Sequence, residues 1–391
     1  MGRRYDGLRI QVELALSVGV FKENFPSERR VAVVPRVVDL LKKSQIELWI
    51  ETGAGIEAGF PDEEYAARGA HVVSAEEVRK QARIQLHVRV PELPDGFQTG
   101  DTAIGLCDPL TELGLVARYA QAGVTLFSME FIPRTTRAQS MDVLSSMASI
   151  AGYKAVLIAA NALPRLFPMM TTAAGSIAPA RVLILGAGVA GLQAIATARR
   201  LGAVVSAYDV RAAVKEEIQS LGAKFVSIDL GGAKGEGEGG YARALDEETI
   251  RRQREQMAAV MHEQDVVITT AAVPGKRAPI LITREMVHAM QPGSVILDLA
   301  AERGGNCELT RAGETVMERG VMVMGPVNVA ATVPYHASQM YARNIATFLK
   351  NMVKDGQLDI DLADDITRET LVTRAGEVVN GRVQALLSVN A

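Results

Sequence analysis

Ile184-Leu185-Gly186-Ala187-Gly188-Val189-Ala190-Gly191 constrains this chain more than any other stretch. Three glycines at that spacing, between an apolar run and an Ala-rich helical pattern, prescribe a strand, a tight turn and a helix. Gly186 permits the sharp turn, Gly188 lets backbone approach a pyrophosphate, and Gly191 lets the helix pack closely on the sheet, with Val189 of the same turn also expected at the cofactor. The helix N-terminus then faces the anion. Glycine-rich turns also end ordinary strands, so the flanking residues decide. Ala203 to Asp209 adds a second apolar strand that ends in a carboxylate, with Val210 beside it, at the spacing where such folds hold an adenosine ribose. An acid there favours NAD over NADP, because a 2'-phosphate beside Asp209 meets like charge and loses the diol hydrogen bonds. Arg211 and Lys215 have two readings: partners for a phosphate, or solvated charges at the start of the next helix.

A length of 391 residues exceeds one ordinary core and fits two domains, and 48% hydrophobic with 22% charged residues describes a globular protein. The net charge of -3, with no Lys/Arg stripe, excludes a nucleic-acid partner. Cys107 and Cys307 lie far apart without metal-ligand spacing and suit buried thiols in a reducing cytoplasm rather than a disulfide framework or a metal site. No apolar run is read as a membrane span, since Ala155 to Leu163 is stopped by Asn161, Pro164 and Arg165. The N-terminus lacks the order of a signal peptide, so the chain is expected to stay where it is made.

Beyond an appended arm at residues 1–16, strands and helices alternate in the rhythm of a parallel sheet. Strands are expected at Leu16–Phe21, Glu47–Glu51, Ile84–Val90 and Val124–Met129, with helices at Pro35–Lys43 and Asp62–Arg68. After the glycine turn, strands are expected at Phe225–Ile228, Val266–Thr270, Ser294–Leu299 and Val321–Gly325. A helical pattern over Tyr335–Met352 carries the chain back to the first domain, and the tail from Asp355 is polar with few signals. The fold expected is α/β, with two doubly wound Rossmann-like domains and an NAD cleft between them. One domain takes residues 17–145 and 330–391, and the NAD-binding domain takes 146–329. The glycine-rich stretch from Gly231 to Tyr241 cannot pack on itself. It reads either as a surface insertion or as a mobile lid with Tyr241 at its tip. Thr270-Ala271-Ala272-Val273-Pro274-Gly275 ends a strand where nucleotides bind in such sheets, and is either a cofactor wall or a plain turn.

Taken together, Glu28 to Pro35, Arg134 to Gly152, Phe167 to Ala174, Ile184 to Ala203, Pro292 to Asn306 and Asn344 resemble the NAD(H)-binding domain I of proton-translocating nicotinamide nucleotide transhydrogenase, the soluble alpha subunit of split forms. The resemblance runs from about Ser17 to about Phe348. Its most specific stretch is Arg137 to Ser146, which is similar to the family's Arg-Gln-Asp loop at the nicotinamide. It implies roles for Arg134, Gln139, Asp142 and Ser145 at the hydride-transfer site. For the cofactor it implies contacts from the glycine turn, Asp209, Val210, Tyr241, Ala271, Ala272 and Asn306. The cofactor implied is NAD(H), with NADP(H) on a partner beta subunit, membrane-spanning chains carrying the protons, and a homodimer of this subunit held peripherally at the cytoplasmic face of the inner membrane. Arg134 and Asp142 are expected to pair with each other; without the resemblance, helix capping and a surface ion pair explain the same residues.

Alanine dehydrogenase is a relative of that family with the same two-domain fold, and Arg30 matches its substrate-carboxylate arginine. Its catalytic lysine falls at or near His87, its catalytic histidine falls within Gly105-Leu106-Cys107-Asp108-Pro109, where there is none, and Glu302 stands near its essential aspartate. Reduction of an imino acid needs a proton donor, and His87 reads either as that donor or as a packed core residue. An amino-acid dehydrogenase is therefore the second reading, and an NAD-binding protein without chemistry the third.

Overall fold

The computed structural model describes residues 16–93, 95–228, 247–273 and 275–390; the arm before Leu16 and the glycine-rich stretch with Tyr241 lie outside the described residues. The chain opens with β1 (Leu16–Val20), α1 (Pro35–Lys43), β2 (Ile46–Glu51), α2 (Asp62–Ala66), β3 (His71–Val73), α3 (Ala75–Gln81), β4 (Ile84–Arg89), β5 (Thr102–Leu106), α4 (Leu113–Gln121) and β6 (Thr125–Ser128). Local chemistry explains the elements read from sequence. Pro35 opens α1, where its missing N–H costs nothing, Val37, Val38 and Leu41 form the buried stripe, and Lys42 and Lys43 face the negative end of the helix. β4 is central, and its first five residues are all buried, as a strand covered on both faces requires. Strands β3-β2-β1-β4-β5-β6 lie side by side and parallel.

After α5 (Val143–Ala162) and a short hairpin of β7 (Met170–Thr172) and β8 (Gly175–Ile177), a second sheet begins. It contains β9 (Arg181–Leu185), β10 (Val204–Tyr208), β11 (Lys224–Phe225), β12 (Val266–Thr269), β13 (Val295–Asp298), β14 (Thr315–Glu318) and β15 (Val321–Met324). Between them run α6 (Val189–Arg200), α7 (Lys215–Ser220), α8 (Glu247–His262) and α9 (Arg284–Ala289). The order β11-β10-β9-β12-β13-β15-β14 is parallel except for the antiparallel β14. Both sheets are thus doubly wound, each reversing direction beside its first strand, at β1/β4 and at β9/β12.

α5 joins the two cores: Met147 and Ile150 pack in the first, while Ala155, Val156 and Ala159 pack in the second. With 20 residues it is long and apolar enough to cross a membrane by length and composition, because the helix begins at Val143 and not at Ala155. Here it is a core helix. Gly152 lies so close to α6 that a Cβ there would stand 2.1 Å from the Ala190 carbonyl oxygen. α10 (Pro334–Asn351) returns to the first core, where Tyr341 and Phe348 are fully buried. Burial of a side chain of that size contributes about 2–3 kcal/mol.

The polar tail holds more structure than its sequence suggests. After the small β16 (Val353–Lys354), β17 (Gln357–Leu358) hairpin and α11 (Asp365–Thr370), β18 (Leu371–Arg374) pairs antiparallel with β6, and β19 (Glu377–Val378) pairs with β18. α12 (Gly381–Asn390) closes the described chain. A four-residue strand held between β6 and β19 needs few apolar residues, and here Leu371 and Val372 supply them.

Candidate functional site: a dinucleotide crevice

At the β9/β12 reversal, the glycine turn has the shape its spacing prescribes. Gly186 adopts a φ of 98°, and a Cβ on Gly191 would stand 1.9 Å from the Gly186 carbonyl oxygen. Gly188 is different: a Cβ there would meet nothing within 4 Å, so its surface is open to an approaching group. Gly188 caps α6, whose first-turn amides lack intrahelical acceptors and point the positive end of the helix into that space.

Asp209 follows β10 and is buried. One oxygen accepts from the amide and the Nε of Arg211, the other from the Ala187 amide at 2.7 Å and from Arg211 Nη2. Burial opposes ionisation, but the Arg211 guanidinium and these amides outweigh it and hold the carboxyl below its ordinary range. Arg211 is therefore neither a free phosphate ligand nor a solvated charge. It clamps the acid, which in turn clamps the glycine turn. Val210 is half-buried behind it.

The facing wall is Thr270 to Val273. Thr270 Oγ1 donates to the Gly186 carbonyl at 3.0 Å, tying wall to turn. Ala271 is held on both sides by one side chain: its amide donates to Asn306 Oδ1 at 3.1 Å, and its carbonyl accepts from Asn306 Nδ2 at 2.8 Å. Asn306 Nδ2 also donates to the Pro279 carbonyl at 2.8 Å. Asn306 is fully buried, so the structure places it behind the wall, gripping the backbone, while Ala272 is exposed at its face.

The loop from Arg134 to Ser145 sits at the N-terminal end of α5. Asp142 caps the helix, accepting from the Ser145 amide at 2.9 Å and the Ser145 hydroxyl at 2.6 Å. Both oxygens of Asp142 are thus engaged by Ser145, and the capping expected of such a cluster is what Asp142 performs. Arg134 and Gln139 are exposed. The loop is fastened from behind by Arg137, which pairs with Asp364 and Asp365, and by Asn344 Nδ2, which donates to the Ser140 carbonyl at 2.8 Å. Seven residues separate Ser145 from Gly152 on α5, about 10 Å at the α-helical rise, so this loop stands about that far from the first turn of α6.

At the β1/β4 reversal the picture is inverted. The Glu23 carboxylate accepts from the Val88 amide at 2.6 Å and the Arg89 amide at 3.1 Å. Burial pushes its pKa up to about 8. Arg30 makes a two-point contact with Glu28, at 2.7 and 2.6 Å, and Asn328 bridges the pair by accepting from Arg30 and donating to Glu28, each at 3.1 Å. His87 is stacked on Phe21 with ring planes 9° apart, and burial drives its pKa down to about 3. It is packed as a core residue, and its burial favours the neutral imidazole. Glu302 pairs with Arg89 at 3.5 Å, and its neighbour Arg303 pairs with Asp108 at 2.7 Å, so two ion pairs of opposite sense cross between the sheet edges.

Comparison with known proteins agrees with this architecture. The family model for the alanine dehydrogenase/PNT N-terminal domain matches residues 19–151, and that for the C-terminal domain matches residues 155–381. The chain is 44% identical over 376 residues to the first portion of NAD(P) transhydrogenase subunit alpha of Rhodospirillum rubrum, covering 93% of this chain and 98% of that one. This chain belongs to the transhydrogenase alpha-subunit family. A transhydrogenase crystal structure from Sinorhizobium meliloti superposes with a TM-score of 0.85 at 45% identity, covering 93% of this chain and all 100% of that one. Alanine dehydrogenase of Bacillus subtilis is more distant, 28% identical over 330 residues, 81% of this chain and 80% of that protein. A solved L-alanine dehydrogenase shares the fold at a TM-score of 0.81 and 26% identity, covering 96% of this chain and 100% of that one. What sequence alone did not read is the pairing itself: Arg211 with Asp209, Arg137 with Asp364 and Asp365, and Arg30 with Glu28 and Asn328.

Proposed function

We propose that this chain is the NAD(H)-binding subunit of a proton-translocating transhydrogenase, positioning NADH in the β9/β12 crevice for direct hydride transfer to NADP+ held on a partner beta subunit. The nicotinamide ring supplies the hydride; this chain's residues bind, orient and exclude water. The observation that carries this reading is the open dinucleotide turn at Gly188 in a chain 44% identical to a transhydrogenase alpha subunit, while His87, at the position of the relative's catalytic lysine, is stacked on Phe21 in the first core. Hydride exchange between two nicotinamides neither releases nor consumes a proton at the ring, so it needs orientation and desolvation and not an acid. An amino-acid dehydrogenase needs the acid.

In this reading Gly186, Gly188, Val189 and Gly191 take the pyrophosphate, Asp209 and Val210 the adenosine ribose, and Ala271 and Ala272 the wall, with Asn306 behind it. Tyr241 closes over the cofactor. Arg134, Gln139, Asp142 and Ser145 orient the nicotinamide half. Residues 17–145 with 330–391 form one unit, and 146–329 the NAD-binding unit. Separate membrane-spanning chains conduct the protons and hold this subunit at the cytoplasmic face of the inner membrane. The β7–β8 hairpin favours a homodimer, since Met169 is 67% exposed, with Met170 and Ile177 exposed beside it. Charged residues at Met169 and Ile177 are expected to shift sedimentation from dimer to monomer without altering the melting temperature by more than a few degrees.

The deciding experiment is hydride transfer from NADH to an NADP+ analogue by the purified chain, with and without a transhydrogenase NADP(H)-binding domain, beside an assay with pyruvate, ammonia and NADH. Transfer only with the partner supports the proposal. Pyruvate-dependent NADH oxidation by the chain alone overturns it.

A further inference from the structure

We infer that Asp298, a residue with no place in the glycine turn or the nicotinamide loop, is the positioning residue that sets the cofactor wall at Thr270 to Val273, acting through Asn306. The inference rests on the proposal that the β9/β12 crevice holds NADH.

Asp298 is the last residue of β13 and is fully buried. Five donors converge on its carboxylate. Oδ1 accepts from Thr269 Oγ1 at 2.8 Å and the Ala300 amide at 2.9 Å. Oδ2 accepts from the Asn306 amide at 2.6 Å, the Cys307 amide at 3.1 Å and Thr310 Oγ1 at 2.6 Å. Three of the five are backbone amides, which only donate, and a group that only accepts is what they require. The loop is also too tight for adjustment, since a Cβ on Gly305 would stand 2.8 Å from Asp298 Oδ2.

Those donors fall in two places that matter to the crevice. Thr269 immediately precedes the wall. Asn306 holds a wall residue by both its amide and its carbonyl, and its carboxamide spends its bonds on the Ala271 and Pro279 backbone. Asp298 fixes the Asn306 main chain at 2.6 Å, and so fixes where that carboxamide can reach. The wall is in turn bonded to the turn through Thr270 and Gly186. One buried carboxylate therefore holds the wall from its strand end directly and from behind through Asn306, without facing the crevice itself. Preorganised support of this kind governs how well a site holds its ligand.

The test uses the full chain. NADH affinity is titrated by fluorescence, alongside thermal melting, for wild type, Asp298→Asn, Asn306→Ala and the double variant. Asp298→Asn turns donors toward the amides and is expected to weaken NADH binding about tenfold or more. Asn306→Ala is expected to do much the same, and the double variant to be no worse than the weaker single, because the two act in series. A lower melting temperature with unchanged NADH affinity in the folded protein means a mere loop staple and overturns the inference. Should Asp298→Asn fail to fold, Asn306→Ala decides alone, and unchanged affinity there overturns it equally. A wild-type chain that binds no NADH overturns the functional proposal itself, and this inference with it.

Discussion

The two sheets share a strand order, and each leaves a crevice where that order reverses. At β1/β4 the backbone amides of Val88 and Arg89 are taken by Glu23, and Arg30 is taken by Glu28 and Asn328. At β9/β12 the side chains face backward: Asp209, Thr270 and Asn306 all brace backbone, Arg211 holds Asp209, and Gly188 faces open space. The same topology thus produces one crevice that satisfies itself and one that presents its first-turn amides outward. Fold alone does not choose a binding site; the choice lies in whether the polar groups at the strand ends are spent on one another.

Substitution at the filled crevice should have the largest effect on stability and little on the cofactor. Arg30→Met leaves the Glu28 carboxylate buried without its guanidinium, at a cost of about 3–5 kcal/mol in urea unfolding. The folded fraction should keep its NADH affinity; loss of that affinity would show that the two crevices are not separate. The glycines sharpen the contrast from the other side. Gly191→Ala drives a methyl into the Gly186 carbonyl and should cost about 2–3 kcal/mol, abolishing NADH binding as well. Gly188→Ala meets no protein atom, so the melting temperature should hold while NADH affinity falls about tenfold. Equal melting losses for both would refute the openness of Gly188.

The smallest effect is a pH slope. His87 is about 3 when folded against 6.5 unfolded, so the unfolded chain binds the extra proton and this residue's contribution to stability is lost as pH falls below about 6.5. Glu23 is about 8 when folded against 4.5 unfolded, so its contribution is present below 4.5 and lost as pH rises toward 8. Between 4.5 and 6.5 the two oppose each other. Glu23→Gln should expose a rise of stability with pH in that window, and His87→Phe a fall, each about 1.4 kcal/mol per unit at most. Flat profiles for both variants would mean that neither group is held as described.

Sequence makes legible whatever is local. α1 shows its proline and its apolar stripe within nine residues, and the glycine turn carries its own steric demand. The pairing of Asp209 with Arg211 lies within two residues, yet its geometry stays hidden because either end has another plausible partner. Contacts of long reach are invisible: Asn328 meets Glu28 across 300 residues, and Asn344 meets Ser140 across 204. β18 carries no signal of its own because its place is decided by the free edge of β6, not by its four residues. His87 is the reverse case, since an apolar strand around a lone histidine already favours the packed role it has.

The placement of β18 bears on the order in which this protein matures. The second sheet is drawn from one continuous stretch, Arg181 to Met324, whereas the first waits for Leu371 to cover β6 and for α10 to fill its core. During synthesis the nucleotide-binding half is complete while the N-terminal half, although made earlier, still lacks its last strand. A chain that has emerged to just beyond Met324 would therefore hold every strand of the second sheet while β6 of the first still lacks its cover and the Arg134–Ser145 loop still lacks its fastening by Asn344 and Asp364.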